Sequence, residues 1–254
     1  MQKARIICLP TRPFGMRALR YIAAQEDIEI VGVVALPKPP LAPMKDRWWK
    51  GSVYETAEEL GIPIIKEEDV TKHEIDLLIS LLYDKVLKKE VIEHAKYGTI
   101  NFHMAPLPRY RGCNSISHAI MNARKDNHWE YGMTLHYIDA GIDTGPIIEC
   151  SRCEIYEDDT AWTLYNRVID QAYGLLRKHL KNLVKGRVEA KEQKEGSSYY
   201  YDRQSLENTQ EIDISKPEIE VYDQIRALTF PGFEKPYMKV NGQRIHLSLE
   251  QNEI

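Results

Sequence analysis

The sequence predicts an α/β protein. A Rossmann-like, mostly parallel sheet with helices on both faces occupies residues 1–186, and a small C-terminal subdomain with a helix and a β-hairpin occupies 187–254. Three observations predict this. Runs of β-branched residues alternate with stretches of helical apolar spacing, as in parallel strands joined by crossover helices. The length, 254 residues with 43% apolar and 28% charged side chains, suits one large domain plus a small one. Near the C-terminus, Asn-Gly stands between two alternating runs, a strong hairpin signal.

The elements follow in order. "ARIICL" (4–9) is a buried strand. In "TRPFGMRALRYIAAQ", Met16, Leu19, Ile22 and Ala23 fall at helical spacing. "IEIVGVVAL" (28–36) is a second strand, and a proline-laden loop follows. "VYETAEELG" is a helix stopped by Gly61. "IPII" (62–65) and "IDLLISLL" (75–82) are strands, "KVLKKEVIEHA" a helix, and "GTINFH" (98–103) the next strand. "SISHAIMNA" begins a helix with Ser115 as its N-cap. "YGMTLHYID" (131–139) and "GPIIECSRCEI" (145–155) are strands joined by the turn "AGIDT". The longest helix is 160–186, with an apolar stripe of Trp162, Leu164, Val168, Tyr173, Leu176 and Leu180. Thr160 caps its start and Gly186 ends it. "EGSSYYYDRQSLENTQEID" has loop character, "EIEVYDQIRALTF" is a helix, and "PYMKVNGQRIHLSL" is the hairpin.

Composition narrows the function. A net charge of −4 gives no electrostatic reason to expect a nucleic-acid partner. No apolar run reaches the length of a membrane span, and the apolar stretch in "MQKARIICLP" is too short for a secretory leader. "CSRC" lacks the second ligand pair of a structural zinc site, so Cys8, Cys113, Cys150 and Cys153 read as ordinary reduced thiols. No metal is expected, and the expected compartment is the cytoplasm. Neither G-x-G-x-x-G nor a P-loop is present, which disfavours a dinucleotide site built on glycines.

The chemistry is expected in "TINFHMAPLPRYRGCNSISHAI" (99–120). Asn101 and His103 alternate at a strand end, so both point the same way, and the proline-rich turn beyond leaves them uncovered. In parallel sheets, ligands sit beyond the carboxyl ends of the strands. Asn101 supplies an amide donor and His103 a base or cationic donor. Asp143 supplies a carboxylate in a turn flanked by Gly141 and Gly145. An amide and an imidazole suit stabilisation of a tetrahedral oxyanion, and a carboxylate orients the imidazole. Read on spacing alone, the same residues also suit a solvated loop and a turn former.

The ordered set Asn101, His103, Leu107-Pro108, Arg111-Gly112, Gly132, Thr134, His136 and Asp143-Thr144-Gly145 resembles the signature of the N10-formyltetrahydrofolate-dependent formyltransferases. The resemblance implies Asn101, His103 and Asp143 as the catalytic set. It implies N10-formyltetrahydrofolate as co-substrate, bound by Leu82, Tyr83, Asp139, Ala140, Gly141 and Ile142, largely through the backbone, with His136 as a buttress. The sequence departs from the family at Met104-Ala105 and at Ser115. Both changes sit where the acceptor would bind, so they leave the acceptor open.

For methionyl-tRNA, the family pattern goes with a longer C-terminal part and a basic surface, whereas 68 residues (187 to 254) follow the long helix here. "RGCNSISHAI" and "IRALTFPGFEKPYMKVNGQRIHL" resemble the sugar N-formyltransferases. That implies a nucleotide-linked amino sugar as acceptor, bound by Arg12, Phe14, Met104, Tyr110, Arg111, Asn114 and Phe230. Arg17 and Lys50 are further phosphate candidates, and Trp48, Trp49 and Tyr199–Tyr201 further base-stacking candidates. Within that family the chain resembles the pseudaminic-acid pathway enzymes, which implies a UDP-linked 4-amino-4,6-dideoxy-L-AltNAc acceptor and products destined for surface glycans. dTDP- or GDP-linked 3- or 4-amino sugars, a methionyl-tRNA formyltransferase-like activity and a non-catalytic folate or nucleotide-sugar binding module stay as alternatives. The resemblance further implies a homodimer.

Overall fold

The computed structural model describes residues 2–35, 51–194, 198–207 and 209–249. Its six-stranded sheet has the order β2-β1-β3-β4-β6-β7. Strands β1 (Ala4–Pro10), β2 (Ile28–Val33), β3 (Leu77–Leu81) and β4 (Thr99–His103) are parallel, and β6 (Glu130–Tyr137) and β7 (Ile147–Glu154) join antiparallel. The parallel strands are buried on both faces, which is why they read as unbroken apolar runs. Along β1, Ile6 and Cys8 enter one core with Phe14, Leu19 and Leu176, while Ile7 and Leu9 enter a second with Val70, Leu87 and Val91.

Helix α5 (Ala161–Leu183) forms where the periodicity predicts it. Thr160 and Thr163 exchange side-chain and backbone hydrogen bonds as a capping box, and Gly186 at φ +62° lies just beyond the end. Helix α1 (Arg12–Ala23) buries Phe14, Ala18, Leu19 and Ile22, with Ala23 exposed, and Tyr173 of α5 meets Phe14 edge-on. The Asn-Gly hairpin is present as β9 (Tyr237–Val240) and β10 (Gln243–His246), with Asn241 and Gly242 both at positive φ.

Four local expectations change. Only Lys89–Ile92 of the 85–95 segment is helical (α3), because Val91 is its only buried helical residue. Of 62–65, only Ile64 bridges a strand, at Val33. Helix α2 is Val53–Glu59, as expected, but Ser115 is not the cap of α4 (Ser115–Ala123). Asn114, at φ +56°, precedes the helix, and Ser115 Oγ instead bonds to Tyr131 and to the Met104 carbonyl. The tyrosine-rich segment read as loop forms β8 (Tyr199–Tyr201), parallel to β5 (Tyr110–Gly112). The last helix, α6 (Glu218–Ala227), is anchored by Arg226, fully buried against Asp223 and the carbonyls of Tyr156 and Asp159. Among the described residues, no helix is long and apolar enough to cross a membrane.

Candidate active site

β4 is the strand at which parallel pairing gives way to antiparallel, and Asn101 faces His136 across that seam in register. Asn101 Oδ1 accepts from Ser80 Oγ at 2.7 Å, and its Nδ2 donates to His136 Nε2 at 3.2 Å. Those partners fix the amide orientation and leave one Nδ2 hydrogen unspent. His136 Nδ1–H donates to the Tyr137 carbonyl at 2.7 Å, so Nε2 carries the lone pair Asn101 needs. His136 is 1% exposed, and burial, reinforced by His103, pushes its pKa well below the ordinary histidine value.

His103 donates from Nε2 to the Tyr110 carbonyl at 3.0 Å, which leaves Nδ1 as the free ring nitrogen. That atom lies 3.5 Å from Asp143 Oδ1, and the same oxygen lies 3.8 Å from His136 Nε2. The other carboxylate oxygen, Oδ2, accepts from the Gly112 amide at 2.9 Å. Gly112 sits at φ +86°, and a Cβ there would lie 2.1 Å from the Tyr201 carbonyl oxygen, so no other residue brings this amide so close. In the 139–145 turn the left-handed residue is Asp143 itself (φ +54°), not a flanking glycine. Gly145 is needed for proximity: its Cβ would meet the Tyr137 carbonyl oxygen at 2.0 Å. The Thr134 hydroxyl braces the proline-rich turn, donating to the Ala105 carbonyl and accepting from the Leu107 amide.

Asn101, His103, His136 and Asp143 line a cavity of about 1470 Å³. It opens beyond β1, β3 and β4. Leu82, Tyr83, Asp139, Ala140, Gly141 and Ile142 line it. Leu82 is held left-handed (φ +61°), its carbonyl accepting from Thr11 Oγ1. Asp139 Oδ1 accepts from the Gly141 amide and the Thr144 hydroxyl, which ties the start of the 139–145 turn.

The acceptor candidates divide. Arg12, Met104, Asn114 and Phe230 line the cavity, and Arg12 lies 3.7 Å from Asp84. Phe14 does not: it is 1% exposed, packed between Phe102 and Tyr173. The Tyr110 side chain is buried with Tyr131 and Tyr199, and the residue serves through its carbonyl. Arg111 turns away to Gln193, and Arg17 stacks on Tyr173. Asn114 spends its amide on the carbonyls of Asp202 and Arg203 and on Ser205 Oγ. Trp48, Trp49 and Lys50 lie outside the described residues. The structure adds Ser80, Arg203, Leu206 and Phe233, while Tyr200 and Tyr201 but not Tyr199 face the cavity. A serine interrupting "LLISLL" was the one available signal for Ser80.

Among the described residues, no three His, Cys, Asp or Glu side chains form a metal-binding group. Cys150 and Cys153 are free, half-buried thiols on β7. The arrangement presents an amide N–H, an imidazole nitrogen and a carboxylate to one space, the equipment for nucleophilic addition to a carbonyl followed by proton transfer.

Residues 41–180 match the family model described as formyl transferase. The chain is 30% identical to methionyl-tRNA formyltransferase of Bacillus velezensis, over 95% of this chain and 76% of that protein. It is 31% identical to the same enzyme of Kosmotoga olearia, over 88% and 72%. Among solved structures, it resembles the N-formyltransferase from Helicobacter canadensis in complex with folinic acid and dTDP-3-aminofucose. That match has a TM-score of 0.76 and 27% identity, over 96% of this chain and 86% of that one. A sugar 3N-formyltransferase solved in the presence of dTDP and 5-N-formyl-THF matches with a TM-score of 0.77 and 26% identity, over 96% and 85%.

Proposed function

The chain belongs to the formyl transferase family, and from that premise we propose that this formyl-transferring enzyme moves a formyl group from N10-formyltetrahydrofolate to the amine of a nucleotide-linked amino-deoxysugar. One observation carries the reading: Asn101 Nδ2, His103 Nδ1 and Asp143 Oδ1 converge on the same cavity. In this reading the donor lies along Leu82, Tyr83 and the 139–143 turn. The neutral sugar amine attacks the formyl carbon, and the formyl oxygen becomes an oxyanion facing the unspent Asn101 N–H. His103 Nδ1 takes the proton that the amine sheds, and Asp143 Oδ1 faces the imidazolium so formed. Collapse of the intermediate breaks the bond to N10 of the folate, which leaves with the proton that the His103 imidazolium gives up.

The acceptor half draws on residues 187–254, our proposed second domain, with Tyr200, Phe230 and Phe233 as faces for a base and Arg12 and Arg203 as cations for a diphosphate. The two folate-containing structures support the donor and the sugar-nucleotide class. The UDP-4-amino-4,6-dideoxy-L-AltNAc suggested by the sequence resemblance is the finer proposal, with dTDP-3-aminofucose as its competitor. A homodimer in the cytoplasm completes the reading.

The test is turnover with N10-formyltetrahydrofolate and each sugar in turn, with methionyl-tRNA as third acceptor because the curated relatives carry that name. Formylation of a sugar, lost by roughly 100-fold or more in Asn101→Ala and His103→Ala, is the expected result. Formylation of methionyl-tRNA alone would reassign the acceptor, and wild-type turnover by both variants would overturn the site.

A further inference from the structure

We infer that Gln193 is a positioning residue for the reaction: its amide, oriented by Arg111, holds the Asp143 turn in the conformation that aims Asp143 Oδ1 at His103. The inference rests on the reading of Asp143 as a catalytic group. Asp143 occupies the left-handed region at φ +54°, uncommon for a residue with a Cβ although aspartate tolerates it better than most. The start of the turn is tied by the Asp139 carboxylate; its far end is tied by Gln193. Gln193 Nε2 donates to the main-chain oxygens of Asp143 and Gly145, each at 2.8 Å. Two N–H bonds meet two carbonyls, so the amide nitrogen has no donor left over.

The amide cannot sit the other way round. Its Oε1 accepts from Arg111 Nη2 at 2.8 Å, and a guanidinium only donates, as carbonyls only accept. Arg111 is the residue before Gly112, whose amide binds Asp143 Oδ2 at 2.9 Å. β5 therefore grips Asp143 twice, at the carboxylate through Gly112 and at the backbone through Arg111 and Gln193. The glutamine is itself anchored, because Lys191, two residues earlier, exchanges both main-chain hydrogen bonds with Ile147 at the start of β7, each 2.8 Å. Neither Gln193 nor Arg111 lines the cavity, so both act through Asp143.

Gln193→Leu keeps the volume and removes the donors; Gln193→Glu keeps an acceptor for Arg111 but turns oxygen toward the two carbonyls. Turnover is measured with N10-formyltetrahydrofolate and whichever of the two amino sugars above is used faster, and backbone hydrogen exchange is followed across 139–145 without any acceptor. The expected result is a kcat lowered by roughly 10- to 100-fold in both variants, with both KM values within about threefold and faster exchange confined to the turn. Arg111→Met should show the same signature more weakly, and combining it with Gln193→Leu should add little. Wild-type exchange in the turn, or a kcat loss matched by risen KM values and a lowered melting temperature, overturns the inference. Asp143→Asn separates the two claims. If that variant keeps wild-type kcat, the catalytic reading of Asp143 fails and exchange alone decides whether Gln193 clamps the turn.

Discussion

Two imidazoles near the cavity are held neutral by burial. His118 stacks on Tyr201 with ring centroids 3.6 Å apart and bonds to Ser205 Oγ, and desolvation pushes its pKa down from 6.5 to about 4. As the pH falls from about 6.5 toward about 4, the unfolded chain takes up this proton before the folded one does, so folding stability falls across that window. The contribution is at most about 3 kcal/mol. His118→Gln should flatten the wild-type fall in melting temperature between pH 7 and pH 4; a parallel displacement of the two curves would refute the assignment. His136, also pushed down by burial, presents a lone pair to Asn101 for the same reason. At this scale the sequence showed part of the site. Asn101 and His103 stand two apart on a strand end, and that spacing alone aligns them. Ser80 left only a break in an apolar run and Gln193 no mark at all, because their roles exist only through partners 21 and 50 residues away in the chain.

Among the elements, the pair β5–β8 was the least legible, although Gly112, Tyr200 and Tyr201 from it line the cavity. Each strand has three residues, too few for an alternation to stand out, and the partners are 89 residues apart at Tyr110 and Tyr199. What holds β8 is equally nonlocal: Asn122 donates to the Tyr201 hydroxyl, His118 stacks on its ring, and Asn114 ties the 202–205 turn. By contrast α5 and the Asn-Gly hairpin were readable, since capping, helical periodicity and turn chemistry are written within a few residues of each other. Gly112 joins the local and nonlocal levels. Gly112→Ala would drive a methyl into the Tyr201 carbonyl from a left-handed position. We expect it to cost about 1–3 kcal/mol and to lower kcat as well, because the amide that holds Asp143 moves. Thermal melting and steady-state kinetics on one preparation check both effects, and an unchanged kcat would detach the Gly112 amide from catalysis.

At the scale of the whole molecule, the loop after β3 and the 139–143 turn line the same cavity as residues after β8; in the proposed function the first are the donor wall and the second the acceptor wall. Two ligands that occupy different walls should stabilise the fold together by more than either alone. At 100 times its dissociation constant each contributes about 2.7 kcal/mol. Melting curves with 5-formyltetrahydrofolate, UDP and dTDP, singly and paired, measure this. One nucleotide should add to the folate shift, and mutually exclusive shifts would place both ligands on one wall.

The seam at β4 carries a consequence for assembly. Asn101 and His103 come from the N-terminal side of the 124–128 connection, and His136 and Asp143 from the other side, joined where β4 meets β6 and by the Gly112 amide on Asp143. Cutting the chain in that connection would give two fragments, neither of which holds the complete set of proposed reacting groups. Formyl transfer would then return only when the fragments re-form the antiparallel half of the sheet. Activity would thus report whether the β4–β6 pairing and the contacts around it have formed, and titrating one fragment into the other would turn the enzyme into a sensor of its own folding.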